Sequence, residues 1–261
     1  MNGNKEKTAE SEKNLVYVVG IGPGSEGMMT QQVRRILENC DVIIGYTVYV
    51  ELLRKIFPQK EYQTTPMRRE EERCRMAFRE AQKGRVTAMV CSGDAGVYGL
   101  AGLMFEVGAE YPDCFVKVIP GVTAALAGGA LLGAPLGHDF AVVSLSDLLT
   151  PWETIEKRLR LAAMADLALC IYNPSSKKRG DYLLKACDIL LEVIEEDRVC
   201  GLAFQVGREG EQWEVLTLKE LRLRPVDMFT TVFIGNSKTK NLHGKMVTPR
   251  GYRMEREYRK T

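Results

Sequence analysis

Close cysteine pairs are missing from this chain. Its seven cysteines, Cys40, Cys74, Cys91, Cys114, Cys170, Cys187 and Cys200, stand singly, whereas structural zinc sites and iron–sulfur clusters take thiolates spaced a few residues apart. The spacing argues against either kind of metal centre. Several of these thiols fall inside apolar, strand-like runs, where a free cysteine acts as a small hydrophobe, and a reducing cytoplasm is the expected compartment. An excess of charge of one sign is missing too. Lysine and arginine number 36 against 34 aspartates and glutamates, so net charge points to no nucleic acid or other polyanion as partner. Residues 1–14 are polar, lack the apolar core of a signal peptide, and read as a disordered extension.

A membrane span is not expected either. Residues 118–137 carry no charge over about the length that crosses a bilayer, but Pro120, Pro135 and several glycines break the run into a strand end, a helix of about three turns and a turn. Gly129 and Gly133 are spaced like a small-residue packing face, which suggests a helix pressed closely into a protein core.

What is present is ordinary globular composition, 45% hydrophobic and 27% charged over 261 residues, enough for one large α/β domain or two smaller ones. Residues 15–19 form a β-branched run, followed by Gly20-Ile21-Gly22-Pro23-Gly24 and a helix from its N-cap Thr30 to Asn39. A glycine-rich turn after a first strand suggests a nucleotide site. The spacing is not G-x-G-x-x-G, however, and Pro23 removes an amide that would cradle a phosphate. Residues 41–46 read as a strand, 48–57 as a short helix and 68–83 as a helix with Cys74, Ala77, Phe78 and Ala81 on one face. After a further strand and helix, residues 115–119 form another strand. Beyond Pro135 the alternation restarts, with strands at 140–144, 166–172 and 198–205, helices at 152–164 and 180–195, and later strands at 213–216 and 231–234 of a mixed sheet. The pattern has no internal repeat and predicts two α/β domains, 15–121 and 122–248, with a polar tail at 249–261.

The chain is organised around residues 91–99, Cys-Ser-Gly-Asp-Ala-Gly-Val-Tyr-Gly. An apolar run at 86–91 leads into a turn holding Gly93, Asp94 and Gly96, and an apolar-periodic stretch at 97–107 follows. Strand, tight turn and helix place this segment at the carboxyl end of a sheet, where ligands of open α/β folds sit. Glycine permits close backbone approach, and Asp94 can accept hydrogen bonds from a hydroxyl or amine. A tight connection with Asp94 capping the helix explains the same residues without a ligand.

Taken in order, six segments resemble the tetrapyrrole methylases, a class of S-adenosylmethionine-dependent methyltransferases. They are Gly20 to Gly24 as quoted, 92–99, Ile-Pro-Gly-Val-Thr-Ala at 119–124, Ser144-Leu145-Ser146-Asp147 with Pro151-Trp152, Tyr-Asn-Pro-Ser-Ser at 172–176, and Thr-Val-Phe-Ile-Gly-Asn-Ser at 231–237. Within the class the chain is most similar to the C17-methyltransferases of precorrin-3B or cobalt-factor III, which act at the ring-contraction step of cobalamin synthesis. The details are Met67-Arg68-Arg69-Glu70 continuing to Arg73, residues 145–152, and the run from Tyr172 to Arg179. A cysteine-rich region that some members carry has no counterpart here. Sister methylases acting at other positions and diphthine synthase share the fold, and a donor-binding sensor or scaffold is the non-enzyme alternative.

The resemblance implies two α/β domains with the active-site cleft between them, and a homodimer. It implies that Gly93, Asp94, Ala95, Val97, Tyr98, Thr123 and Ala124 hold S-adenosyl-L-methionine, with Tyr172 and Thr231 closing over it. Pro23, Gly24 and Ser146 are implied to line the tetrapyrrole side. Such a substrate carries many carboxylates, so Met67, Arg68, Arg69 and Lys177, with Lys178 and Arg179, are candidates at its rim. Read alone, Arg68 and Arg69 are surface charge at a helix start, and 177–179 a solvated loop. Transfer of a methyl from a sulfonium needs alignment in a water-poor site and no strong base, so the lack of an evident catalytic triad does not count against an enzyme. Ring contraction does move protons, and Asp147, with His138 as helper, is the candidate general acid or base. Asp147 could merely end a turn, His138 be hydrogen-bonded and inert, and Thr123 serve as a helix N-cap.

Overall fold

The computed structural model describes residues 14–176 and 180–252, and the chain divides into two compact units, Met1–Ala124 and Ala125–Thr261. In the first, strands β1 (Leu15–Gly20), β2 (Val42–Tyr46), β3 (Glu61–Thr65), β4 (Thr87–Cys91) and β5 (Phe115–Ile119) form one sheet in the order β3-β2-β4-β1-β5. Every pairing is parallel. Parallel neighbours need crossovers, supplied by helices α1 (Gln31–Asn39), α2 (Thr47–Arg54), α3 (Glu70–Gln82) and α4 (Ala101–Gly108). Because side chains alternate along a strand, β1 turns Val16 and Val18 toward Phe78 of α3 and Met104 of α4, and turns Val19 toward Val33 and Leu37 of α1 and Val50 of α2. Both faces are therefore covered, and the central strands read as unbroken apolar runs.

This topology opens a crevice. From β2 the chain leaves toward the edge strand through α2. From its neighbour β4 it leaves toward β5 through α4, on the opposite face. The diverging exits leave a gap at the carboxyl ends of β2 and β4, the place where open α/β sheets receive ligands.

The second unit holds α5 (Ala124–Leu132, whose first residue belongs to the other unit), β6 (Gly133–Ala134), β7 (Phe140–Ser144), α6 (Trp152–Met164), β8 (Ala168–Tyr172), α7 (Tyr182–Leu191), β9 (Val199–Phe204), β10 (Gln212–Thr217), α8 (Leu218–Leu221), β11 (Thr230–Ile234), β12 (Lys240–Leu242) and β13 (Lys245–Val247). Its main sheet runs β10-β9-β11-β8-β7, with only β7 and β8 parallel. Helices α6, α7 and α8 bury one face through Ile155, Leu159, Leu183, Leu190 and Leu221. Thr217 and Glu220 cap α8 reciprocally.

Several expectations are corrected. The 68–83 helix begins at Glu70, because Arg68 has φ +68 and Arg69 stands outside the helix as its N-cap. The helix expected from 97 begins at Ala101; Tyr98, at φ +53, interrupts it. The close-packed glycine of α5 is Gly128, where a Cβ would meet that of Ala203 at 3.0 Å, whereas Gly133 opens β6 and is exposed. Short or polar elements escaped the pattern: the edge strand β3, the strand β6, the helix α8, and the β12–β13 hairpin, whose turn residues His243 and Gly244 both have positive φ. No helix among the described residues is long and apolar enough to cross a membrane.

Six of the seven cysteines are buried and Cys114 is half-buried. Burial pushes the thiols of Cys40 and Cys91 up to about 11 and those of Cys74 and Cys187 up to about 12, from an ordinary 9.0. They are protonated and poorly nucleophilic at neutral pH. Peptide mapping after iodoacetamide treatment of folded protein is expected to find Cys114 labelled first. Cys91 should stay unlabelled to pH 9 and react only toward pH 11; early labelling at pH 8 would contradict its burial.

Candidate active site

The turn after β4 is bound to its neighbours by main-chain bonds. Gly22 and Gly93 exchange both of theirs, at 3.0 and 2.7 Å, and the Ile21 amide donates to the Cys91 carbonyl at 2.9 Å. The loops after β1, β4 and β5 then meet where only hydrogen fits. A Cβ on Gly121 would lie 2.2 Å from the carbonyl oxygens of both Gly20 and Gly93, and one on Gly20 would lie 2.6 Å from Gly93 O. Asp94 locks the crossing. Its Oδ1 accepts the amides of Gly96 and Val97 at 2.8 and 3.1 Å, and its Oδ2 accepts that of Gly121 at 2.9 Å. Asp94 is therefore first a structural acceptor, serving its own turn and the β5 loop. The helix start at Ala101 receives no side-chain cap from Leu100.

Beside this turn, in the crevice between β2 and β4, lies a cavity of about 210 Å³ lined by Tyr46, Tyr49, Met67, Arg73, Cys91 and Tyr98 among others. Met67 is half exposed and belongs to it. Arg68 and Arg69 are exposed; the Arg68 amide donates to Glu70 Oε1 at 3.0 Å, and Arg69 pairs with Glu72 at 3.4 Å.

In the second unit the loops after β7 and β8 are joined in the same way. Ser144 Oγ accepts the Ser146 amide at 3.2 Å and the Asn173 side-chain amide at 2.9 Å, and the Leu145 amide donates to the Tyr172 carbonyl at 2.9 Å. Asp147 Oδ2 accepts the Tyr182 hydroxyl at 2.6 Å, and the Tyr182 ring packs on Trp152 with centroids 4.6 Å apart. The Tyr172 hydroxyl accepts the Ala125 amide at the start of α5, at 2.8 Å. Thr231 is buried within β11. His138 is exposed and its Nδ1 accepts the amide of the next residue at 2.9 Å, so the imidazole serves a local turn.

The model of the tetrapyrrole (corrin/porphyrin) methylases matches residues 15–222. The chain belongs to the tetrapyrrole methylases. Two relatives, both described as probable cobalt-factor III C(17)-methyltransferases, come from Salmonella typhimurium and Methanocaldococcus jannaschii. The first is 44% identical over 91% of this chain and 99% of its own length, the second 44% identical over 91% and 98%. A crystal structure of the methyltransferase CobJ is 37% identical, covers 90% of this chain and all of that one, and superposes with a TM-score of 0.84.

The methyl donor of this methylase is S-adenosylmethionine, and the turn after β4 has groups that could hold it. An ionised carboxylate offers about four acceptor positions, and Asp94 uses three on backbone amides, two on Oδ1 and one on Oδ2. Oδ2 keeps capacity for a hydroxyl or ammonium group, beside the exposed Gly96 and Tyr98. Gly93 and Ala95 are buried in the turn, and a Cβ on Gly93 would lie 3.6 Å from Thr123 Cα and 3.8 Å from the Ala124 amide. In the loop after β1, Pro23 is buried and Gly24 half-buried. Lys177, Lys178 and Arg179 lie outside the described residues.

Two side chains of the methylase had no role read for them in the sequence: Arg73, noted only as the end of the motif that starts at Met67, and Tyr182. Their only signal is a polar-tipped side chain in the first helical turns directly after a matched motif. Two substitutions test the crossing. Gly121→Ala is expected to cost about 3 kcal/mol or more in urea unfolding, because backbone on two sides must move. Gly27→Ala, where a Cβ meets nothing within 4 Å, is the control and should stay near wild type. Asp94→Asn turns an amide nitrogen toward one of its three donors and is expected to cost about 1 to 3 kcal/mol; a variant as stable as wild type would show that the carboxylate does not hold the loops.

Proposed function

We propose that this methylase transfers the methyl group of S-adenosylmethionine to C17 of cobalt-factor III on the route to cobalamin, with ring contraction as an associated step. The observation that carries the reading is end-to-end likeness, 44% over at least 98% of the length of relatives described by that activity. When bound, the donor supplies a methyl group on a sulfonium, an electrophile with a good leaving group. The chain's own work is then alignment and exclusion of water. A turn pinned by Asp94 and by the glycine crossing holds its position without help from a ligand, so little ordering is left to be done on binding. Gly93, Ala95, Val97, Tyr98, Thr123 and Ala124 accompany Asp94 in holding the donor, and Tyr172 and Thr231 complete the set.

For ring contraction, Asp147 is the proton-transfer group. Tyr182 keeps its proton on the phenol and donates it to Oδ2, which fixes the rotamer of the carboxylate. Trp152 holds the phenol ring in turn. In this reading Tyr182 positions Asp147, and His138 has no part. The protein works in the cytoplasm as a homodimer; a monomer in sedimentation would end that part of the proposal.

Mass spectrometry of anaerobic incubations of protein, S-adenosylmethionine and cobalt-factor III tests the activity. Gain of one methyl is expected, with its position fixed by NMR; no gain on cobalt-factor III beside gain on another tetrapyrrole would make this a sister methylase. Asp147→Asn is expected to leave donor affinity unchanged in calorimetry and to slow ring contraction about 100-fold or more. Contraction at the wild-type rate would remove Asp147 from proton transfer.

A further inference from the structure

Arg73 is 3% exposed, yet it makes no ion pair with any described residue. Its Nε donates to Thr65 Oγ1 at 2.9 Å and its Nη2 to the Pro66 carbonyl at 3.1 Å, and the guanidinium lies 5.9 Å from the centroid of the Tyr46 ring. Those bonds use two of the five N–H groups of an arginine. Among the described residues no fully buried side-chain nitrogen or oxygen lacks a partner, so Nη1 meets accessible space. The accessible space at Arg73 is the cavity between β2 and β4.

A buried cation is normally paired, because loss of hydration is costly without a counter-charge. Arg198, equally enclosed in the second unit, follows the rule: it pairs with Glu195 at 2.5 Å and faces Asp166 at 3.5 Å. At Arg73 the acid within reach along the chain is Glu70, which lines the same cavity and accepts the Arg68 amide instead. Cys91, also in the lining, has its thiol pushed up to about 11 by burial and offers no anion at neutral pH. No described residue forms an ion pair with Arg73, so its free edge is open to a counter-charge carried by a ligand. At about 210 Å³ the cavity is smaller than the roughly 300 to 1,000 Å³ of pockets that enclose whole small molecules, so it takes one arm of a larger ligand.

We propose that Arg73 is a carboxylate receptor, its Nη1 and Nη2 edge binding a carboxylate arm that enters the cavity between β2 and β4 beside Tyr46. The inference rests on the methylase reading, which brings two such arms: an acidic side chain of the tetrapyrrole and the methionine carboxylate of the donor. The planar fork matches a carboxylate in a way that a lysine ammonium cannot.

The test uses Arg73→Lys and Arg73→Gln in the full chain, titrated with S-adenosylmethionine by calorimetry and with cobalt-factor III by anaerobic absorbance, beside unfolding curves. Affinity for one of the two ligands is expected to fall roughly tenfold to a hundredfold, as for a lost bond to a charged group, with the other unchanged. Loss for cobalt-factor III makes the arm a tetrapyrrole side chain, and loss for the donor makes it the methionine carboxylate. Wild-type affinity for both in either folded variant overturns the proposal. If neither variant folds, crystals of wild type with each ligand decide, and no carboxylate oxygen within about 3.5 Å of Nη1 in either overturns it. Wild type that binds cobalt-factor III without methylating it would sink the activity reading and leave the receptor standing.

Discussion

The first unit depends on one crossing of main chain, where the loops after β1, β4 and β5 come so close that Gly20 and Gly121 have no room for a Cβ. Parallel strands deliver their carboxyl ends to one edge, and at that edge three backbones are bound by amide bonds and by one carboxylate. Asp94 accepts from its own turn and from the next strand's loop at once, so neither can shift without breaking the other's bonds. A turn built this way is rigid before anything binds. That rigidity is what an alignment-driven reaction asks of a protein.

The chemistry available around the crossing is consistent with alignment. The thiol nearest to it, Cys91, accepts the Leu100 amide at 3.4 Å and is held protonated by burial, even though Arg73 pulls the other way. Desolvation wins that contest, so the crevice contains a guanidinium and no thiolate. In the second unit the acid that sequence order pointed to, Asp147, is joined to a phenol held by a tryptophan. Such a group can pass a proton at a fixed place. It does not resemble an activated nucleophile, which would need a base to take its proton.

The sequence carried most of the fold because the buried elements have strong periods. The runs at 15–19 and 41–46 are apolar throughout, as parallel strands covered on both faces must be, and the 152–164 helix coincides with α6. Elements without such a period were not legible. β3 reads Glu-Tyr-Gln-Thr-Thr, an edge strand whose polar faces give no alternation, and β12 and β13 are three-residue strands around a turn. The turn at 91–99 was legible as a motif but its physics was not: nothing in the spacing says that the Asp94 carboxylate is occupied by amides from residues 96, 97 and 121. The sequence did not tell the basic residues apart for a similar reason. Arg68 and Arg69 stand beside each other in the motif and are exposed, while Arg73, one helical turn on, points inward, and only the start of α3 at Glu70 sets that phase.

The unrecognised edge strand and the unread orientation of Arg73 have one cause. Thr65 closes β3, and its hydroxyl donates weakly to the Arg69 carbonyl at 3.5 Å while accepting from Arg73 Nε at 2.9 Å. The Thr65 carbonyl in turn accepts the Thr47 hydroxyl at 3.4 Å, which ties the strand end to the start of α2. Arg68, with φ +68, reverses the chain so that α3 begins directly behind that hydroxyl, and the Glu70 carboxylate accepts the Arg68 amide across the reversal. An arginine held left-handed is strained by about 1 kcal/mol or more. The strain sits in the segment that aims the Arg73 fork at the crevice. A polar strand at the sheet edge, with little apolar surface to bury, is better explained by the side chain it orients than by any contribution to the core.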